Sequence, residues 1–143
     1  VGEKIWKNTK FESTLENLSA KKDVLFTGRL TSSDLNKVVG SSNGLVYVSY
    51  FEGFGIPIIE GMKCEVPVIT SNITCMPEIA GNAAILVDPF SINSISNGME
   101  ELLDKEKYDR FVQLGKKRVP YFSWDNTAKV VWRCIEDVLN ESS

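Results

Sequence analysis

Glu52 and Glu60 bracket seven residues, Gly-Phe-Gly-Ile-Pro-Ile-Ile, that are all apolar or glycine. An ionised carboxylate only accepts hydrogen bonds, so a pair of them suits a ligand rich in hydroxyls. Gly53 and Gly55 allow unusual backbone dihedrals and let a ligand come close to the main chain. Pro57 marks the first turn of a helix, where its missing N–H costs nothing. The start of that helix offers N–H groups and a positive dipole end to a phosphate or sugar oxygen. Glu52 comes just before this start, and Glu60 falls about one turn inside it. Amides that favour anions beside carboxylates that seek hydroxyls describe a site for a sugar phosphate or a nucleotide sugar. A glutamate near a helix N-terminus is also stabilising with no ligand present. The spacing alone leaves both roles open.

Composition removes other chemistries. The chain of 143 residues has no histidine, which takes away the commonest general base and transition-metal ligand. Cys64, Cys75 and Cys134 are scattered and lack metal-ligand spacing, so they read as reduced thiols of a cytosolic protein. The net charge is −3 with no lysine or arginine block, which gives no support to a nucleic-acid surface. No apolar run approaches the roughly 20 residues of a membrane helix, and no secretory signal is visible.

The elements that must position the two glutamates alternate. Phe11, Leu15 and Leu18 predict an amphipathic helix over roughly residues 9–20. Asp23 to Gly28 is a short apolar run closed by glycine, predicted as a buried strand. Leu35, Val38 and Val39 share a helical face, with Ser32 or Ser33 as the N-cap and Gly40 as the stop. Strands are predicted at Gly44–Ser49, Val66–Thr70 and Ala83–Asp88, and a short helix at Ile56–Cys64. After Pro89 the apolar positions mark three helices, the last over about 123–140 with its cap near Ser123. Strands that are apolar on both faces and alternate with helices predict a parallel sheet with helices on both faces. Ligands of such sheets bind beyond the carboxyl ends of the strands. Those ends lead into Gly28-Arg29-Leu30, into the Ser49–Gly55 corner, and into Ser71-Asn72. Val1-Gly2 reads as the tail of a further strand, so the chain is expected to be truncated at its N-terminus.

The stretch SYFEGFGIPIIEGMKCEVPVITSN resembles the E-x7-E signature of the retaining glycosyltransferases of family 4, which have the two-domain GT-B fold. FTGRLTSSDL, SNITCMPEIAGNAAILVDP and YFSWDNTAK are similar to three further segments of that family, in the same order. The likeness runs from Val1 to about Val138. It implies a single Rossmann-like domain over residues 1–143, the C-terminal, nucleotide-sugar-binding half of such an enzyme. By this resemblance Glu52 meets hydroxyls of the donor sugar and is the catalytic candidate. The backbone of Gly53, Phe54, Gly55 and Ile56 meets the sugar and diphosphate, and Glu60 holds the ribose. The base lies against Gly28, Arg29 and Leu30.

The implied reaction moves a hexosyl unit, such as mannosyl or glucosyl, from a nucleotide-diphosphate sugar to a glycan or lipid-linked acceptor. The configuration is retained, and no metal or other cofactor takes part. The implied location is cytoplasmic, with room for peripheral association of the parent protein at the inner face of the membrane. Its partner is an acceptor-binding N-terminal domain absent from this chain. The family's arginine and lysine for the diphosphate lie upstream, and Lys4, Lys7 and Lys10 do not match them. The chain alone is therefore expected to have little transferase activity. A GT-B sugar phosphorylase, a nucleotide-sugar epimerase and a non-catalytic nucleotide-sugar-binding module are the alternatives; E-x7-E argues against the first two.

Two departures stand out. Gly61 replaces an alanine and costs about 1 kcal/mol in a helix, for which a close approach to the sheet is the expected reason. Glu65 replaces a glycine at the turn that follows. Among the remaining candidates, Arg29 reads as a solvated loop charge, Glu78 as a helix cap and Ser49 as a turn-stabilising hydroxyl. Trp124 and Trp132 read as core or interdomain packing, and Cys64 and Cys75 as buried small residues.

Overall fold

The computed structural model describes residues 9–141. The expected strand tail at Val1-Gly2, with Lys4 and Lys7, lies outside the described residues. Contacts within the chain sort it into two compact units, one up to Val38 and one from Val39 onward.

In the first unit α1 spans Thr9–Glu16, shorter than its apolar period predicts, and a 3₁₀ turn covers Lys21–Asp23. The predicted strand at Asp23–Gly28 does not form. Asp23 ends the 3₁₀ turn, and among the described residues Val24 to Thr27 pair with no strand, with a bridge at Gly28; Leu25 and Phe26 are 83% and 58% exposed. An apolar run becomes a strand only when a ladder takes up its N–H and C=O groups, which composition cannot show. Phe26 instead meets Phe11 edge to face, with ring centroids 6.2 Å apart. Helix α2 spans Ser32–Gly40. Its cap is Thr31 rather than Ser32 or Ser33: Thr31 Oγ1 accepts from the Asp34 N–H and donates to the Asp34 carboxylate.

The second unit carries a three-stranded parallel sheet in the order β1-β2-β3. Strand β1 is Leu45–Tyr47, β2 is Val68–Ser71 and β3 is Ala84–Val87. Helix α3 (Ile56–Lys63) connects β1 to β2, and the short α4 (Met76–Ala80) connects β2 to β3. Then follow α5 (Ile92–Glu101), α6 (Lys105–Arg118) and α7 (Trp124–Glu141). Leu45 pairs with Val68, and Val68 with Ala84. Alternation sends Val68 and Ala84 to one face, where Ile58, Ile59 and Met62 of α3 and Met76 and Ile79 of α4 cover them. Ile69, Ile85 and Val87 take the other face, against Ile95 and Leu102. Helices on both faces and a fully buried β2 agree with the predicted architecture. Ser123 Oγ accepts from the Asn126 N–H and caps α7 as expected.

Gly61 is where α3 touches the sheet. A Cβ there would stand 2.8 Å from Val68 Cγ2 and 2.9 Å from a Leu45 methyl, so the close approach explains the glycine. The end of α3 explains Glu65 less comfortably. The Val66 N–H reaches the Gly61 carbonyl and the Glu65 N–H reaches the Met62 carbonyl, which is the Schellman arrangement. That motif puts Glu65 at φ 60°, a left-handed position that favours glycine. A Lys116–Glu65 ion pair at 2.8 Å compensates little, because both groups are substantially exposed. Glu65→Gly is therefore expected to stabilise the chain by about 1 kcal/mol in urea denaturation. A loss of stability would refute this account of the turn.

Candidate functional site

The site is built on the carboxyl end of β1. Two buried hydroxyls of β2 hold that end: Thr70 Oγ1 donates to the Tyr47 carbonyl at 2.9 Å and Ser71 Oγ to the Ser49 carbonyl at 2.5 Å. Tyr50 and Phe51 then turn out to solvent, and the chain reaches Glu52. Its carbonyl accepts from Cys75 Sγ at 3.1 Å, and its Oε1 accepts from the Tyr47 hydroxyl. Burial, followed by this hydrogen bond, pushes the Tyr47 phenol above its ordinary 10.0; the charge of Glu52 and the nearby Cys75 add to the rise, and Ser49 opposes it.

Gly55 is the N-cap of α3, with φ 86° and ψ 47°. The left-handed turn lets the Gly55 carbonyl accept from the Ile58 N–H at 3.0 Å. Pro57 occupies the first turn, as its lack of a donor allows. Among the described residues, the amides of Gly53, Phe54, Gly55 and Ile56 donate to no carbonyl or side chain. They lie at the positive end of a helix dipole. Glu60 stands further along α3, exposed, and lines an apolar groove with Phe54, Ile56, Lys63, Tyr121 and Trp124.

The two carboxylates thus differ. Glu52 is half-buried and tethered, whereas Glu60 is exposed and its carboxylate makes no hydrogen bond or ion pair among the described residues. Each is arranged to accept hydrogen bonds at its own end of an amide-lined turn. Glu52, Gly53, Phe54, Gly55, Ile56 and Glu60 come together around the start of α3. Gly28, Arg29 and Leu30 belong to the first unit, where Gly28 makes a bridge, Arg29 is exposed and Leu30 is half-buried.

Other residues depart from expectation. Trp124 and Trp132 are 88% and 61% exposed, which removes the core half of the expectation and leaves interdomain packing as the other half. Cys64 and Cys75 are half-buried rather than buried. Ser49 is held through its carbonyl, and Glu78 is exposed in the first turn of α4 without a side-chain cap bond. Sequence reasoning missed Tyr47 and Cys75 as supports of Glu52. The alternation that puts Leu45 and Tyr47 on one face of β1 was the signal available for Tyr47. Among the described residues there is no cluster of metal-ligating side chains, and no helix is long and apolar enough to cross a membrane.

Residues 1–118 match the family described as glycosyl transferases group 1. The chain is 34% identical over 104 residues to O-antigen chain mannosyltransferase B of Escherichia coli, covering 72% of this chain and 27% of that protein. It is 27% identical over 130 residues to the MMP alpha-(1->4)-mannosyltransferase of Mycolicibacterium hassiacum, covering 87% of this chain and 32% of that protein. The chain thus spans about a third or less of the length of these relatives. Among solved structures, sucrose-phosphate synthase from Thermosynechococcus elongatus superposes with a TM-score of 0.80 at 23% identity, over 98% of this chain and 37% of that one. WaaG, a glycosyltransferase involved in lipopolysaccharide biosynthesis, gives 0.68 at 21%, over 80% of this chain and 31% of that one. Both likenesses concern the fold.

Proposed function

The chain belongs to the glycosyl transferases group 1 family, and from that membership we propose that it is the donor-binding half of a retaining GT-B glycosyltransferase of family 4. The donor is a nucleotide-diphosphate sugar wrapped around the start of α3. Glu52 accepts from hydroxyls of the sugar, the Gly53–Ile56 amides meet the sugar and diphosphate, and Glu60 accepts from the ribose diol. On this reading the diphosphate is met by amides and a helix terminus, and no metal is needed. A mannosyl unit is favoured by the relatives named as mannosyltransferases, and the acceptor is a growing glycan or a lipid-linked sugar. The parent protein works in the cytoplasm, in polysaccharide assembly at the inner face of the membrane.

The observation that carries this reading is the turn of amides, unpaired among the described residues, between two carboxylates of different surroundings. Its test is calorimetric titration of the chain with GDP, UDP and ADP, and with GDP-mannose, UDP-glucose and ADP-glucose. One nucleoside diphosphate is expected to bind, and its sugar conjugate to bind more tightly. Failure of all six to bind would overturn the reading.

A further inference from the structure

We propose that Tyr47 is the positioning residue of the donor-sugar site: its phenol fixes the Glu52 carboxylate so that Oε2 faces the sugar. The inference rests on the reading of Glu52 as the carboxylate that meets the donor sugar.

Tyr47 is well placed for this. It is the last residue of β1, in register with Thr70, whose hydroxyl also holds the Tyr47 carbonyl. Its ring packs at the margin of the core cluster that contains Ile58 and Met76. The phenol therefore rises from an anchored backbone, and its hydroxyl donates to Glu52 Oε1. The glutamate is also held from its other end, where Cys75 donates to its carbonyl. A free glutamate side chain samples many rotamers and gives up that freedom when a ligand binds. Here the carboxylate is already ordered, and one oxygen is committed within the protein. The other oxygen is left to accept a hydroxyl. This is preorganisation of a binding group, which strengthens binding without adding a contact. Because the phenol is shifted upward, the donor keeps its proton throughout the physiological range.

A positioning role and a merely structural one make different predictions. If Tyr47 acts through Glu52, its loss weakens the sugar part of the donor and spares the nucleotide part. Calorimetry of the wild-type chain, Tyr47→Phe, Glu52→Ala and the double variant, each with the diphosphate that binds and with its hexose conjugate, gives the ratio of the two affinities. Tyr47→Phe is expected to cut that ratio about tenfold while leaving diphosphate affinity unchanged. In the Glu52→Ala background, Tyr47→Phe is expected to add nothing. An unchanged ratio, an equal loss for both ligands, or a further loss in the double variant would overturn the proposal and leave the functional reading standing. A wild-type chain that binds none of the ligands would overturn both. The contact has a second, ligand-free readout in tyrosine labelled at Cζ: the Tyr47 resonance is expected to titrate at lower pH in Glu52→Ala. A titration that does not move would overturn the proposal even if Tyr47→Phe fails to fold.

Discussion

Glu60→Ala is expected to lower the affinity of the chain for its nucleoside diphosphate about a hundredfold, close to 2.7 kcal/mol. The size follows from the two hydrogen bonds that one carboxylate can accept from a ribose diol. Hydrogen bonds to charged groups contribute about 1.5–3 kcal/mol each, and their loss leaves the diol without partners in the complex. The substitution is clean for a structural reason. Glu60 is exposed, and its side chain makes no hydrogen bond or ion pair among the described residues. Alanine is also a better helix former than glutamate, so α3 loses nothing. The melting temperature is expected to stay within the small range of surface substitutions. Calorimetric titration decides the matter: equal affinities for the two chains would remove Glu60 from the site. Diphosphate and sugar conjugate are expected to weaken together, because the ribose is common to both. That separates Glu60 from Tyr47, whose loss is expected to touch the conjugate alone.

Much of this site could be read before the structure, because its information is local. Gly55 at a left-handed cap, Pro57 in the first turn and Glu60 along the same helix follow from neighbours in the sequence. The three strands of the sheet were legible for the same reason, each being a short apolar run between turn residues. The segment from Val24 to Phe26 carries the same local signature and forms no strand, because pairing depends on residues far away in the chain. The Cys75 support of Glu52 was illegible for that same reason. Cys75 lies 23 residues from Glu52 and reaches it only because α4 follows β2 on the same side of the sheet. Tyr47 is only five residues from Glu52, but nothing in its type says that the chain will fold back over the end of β1. Gly61 was legible as an anomaly, and the sheet contact supplied its reason. Glu65 was legible as a departure, and the left-handed turn shows where it is felt.

The amides of Gly53 to Ile56, which have no partner among the described residues, have to be held open, and the burden falls on Ile58. It is fully buried, at 0% exposure, among Met62, Val68 and Met76. Its Cδ1 also lies 3.1 Å from where a Cβ on Gly55 would stand, so the same side chain that joins α3 to the sheet braces the turn. Ile58→Ala is expected to cost about 2–5 kcal/mol, the transfer loss plus the cavity that close packing leaves behind. The gain in helix propensity offsets only a few tenths of that. Set against a total stability of about 5–15 kcal/mol for a domain, this is the largest single-site loss we expect. Ile58→Val keeps most of the contact and is expected to cost about 0.5–1.5 kcal/mol. Urea denaturation gives both numbers, and a loss below about 1 kcal/mol for the alanine variant would show that the core is looser than its burial implies. The binding consequence is separable. Under conditions where Ile58→Ala remains folded, diphosphate affinity is expected to fall although Ile58 touches no ligand, because the Gly55 turn loses the methyl that limits it. Unchanged affinity in a folded Ile58→Ala chain would mean that the left-handed cap and Pro57 hold the amides open on their own.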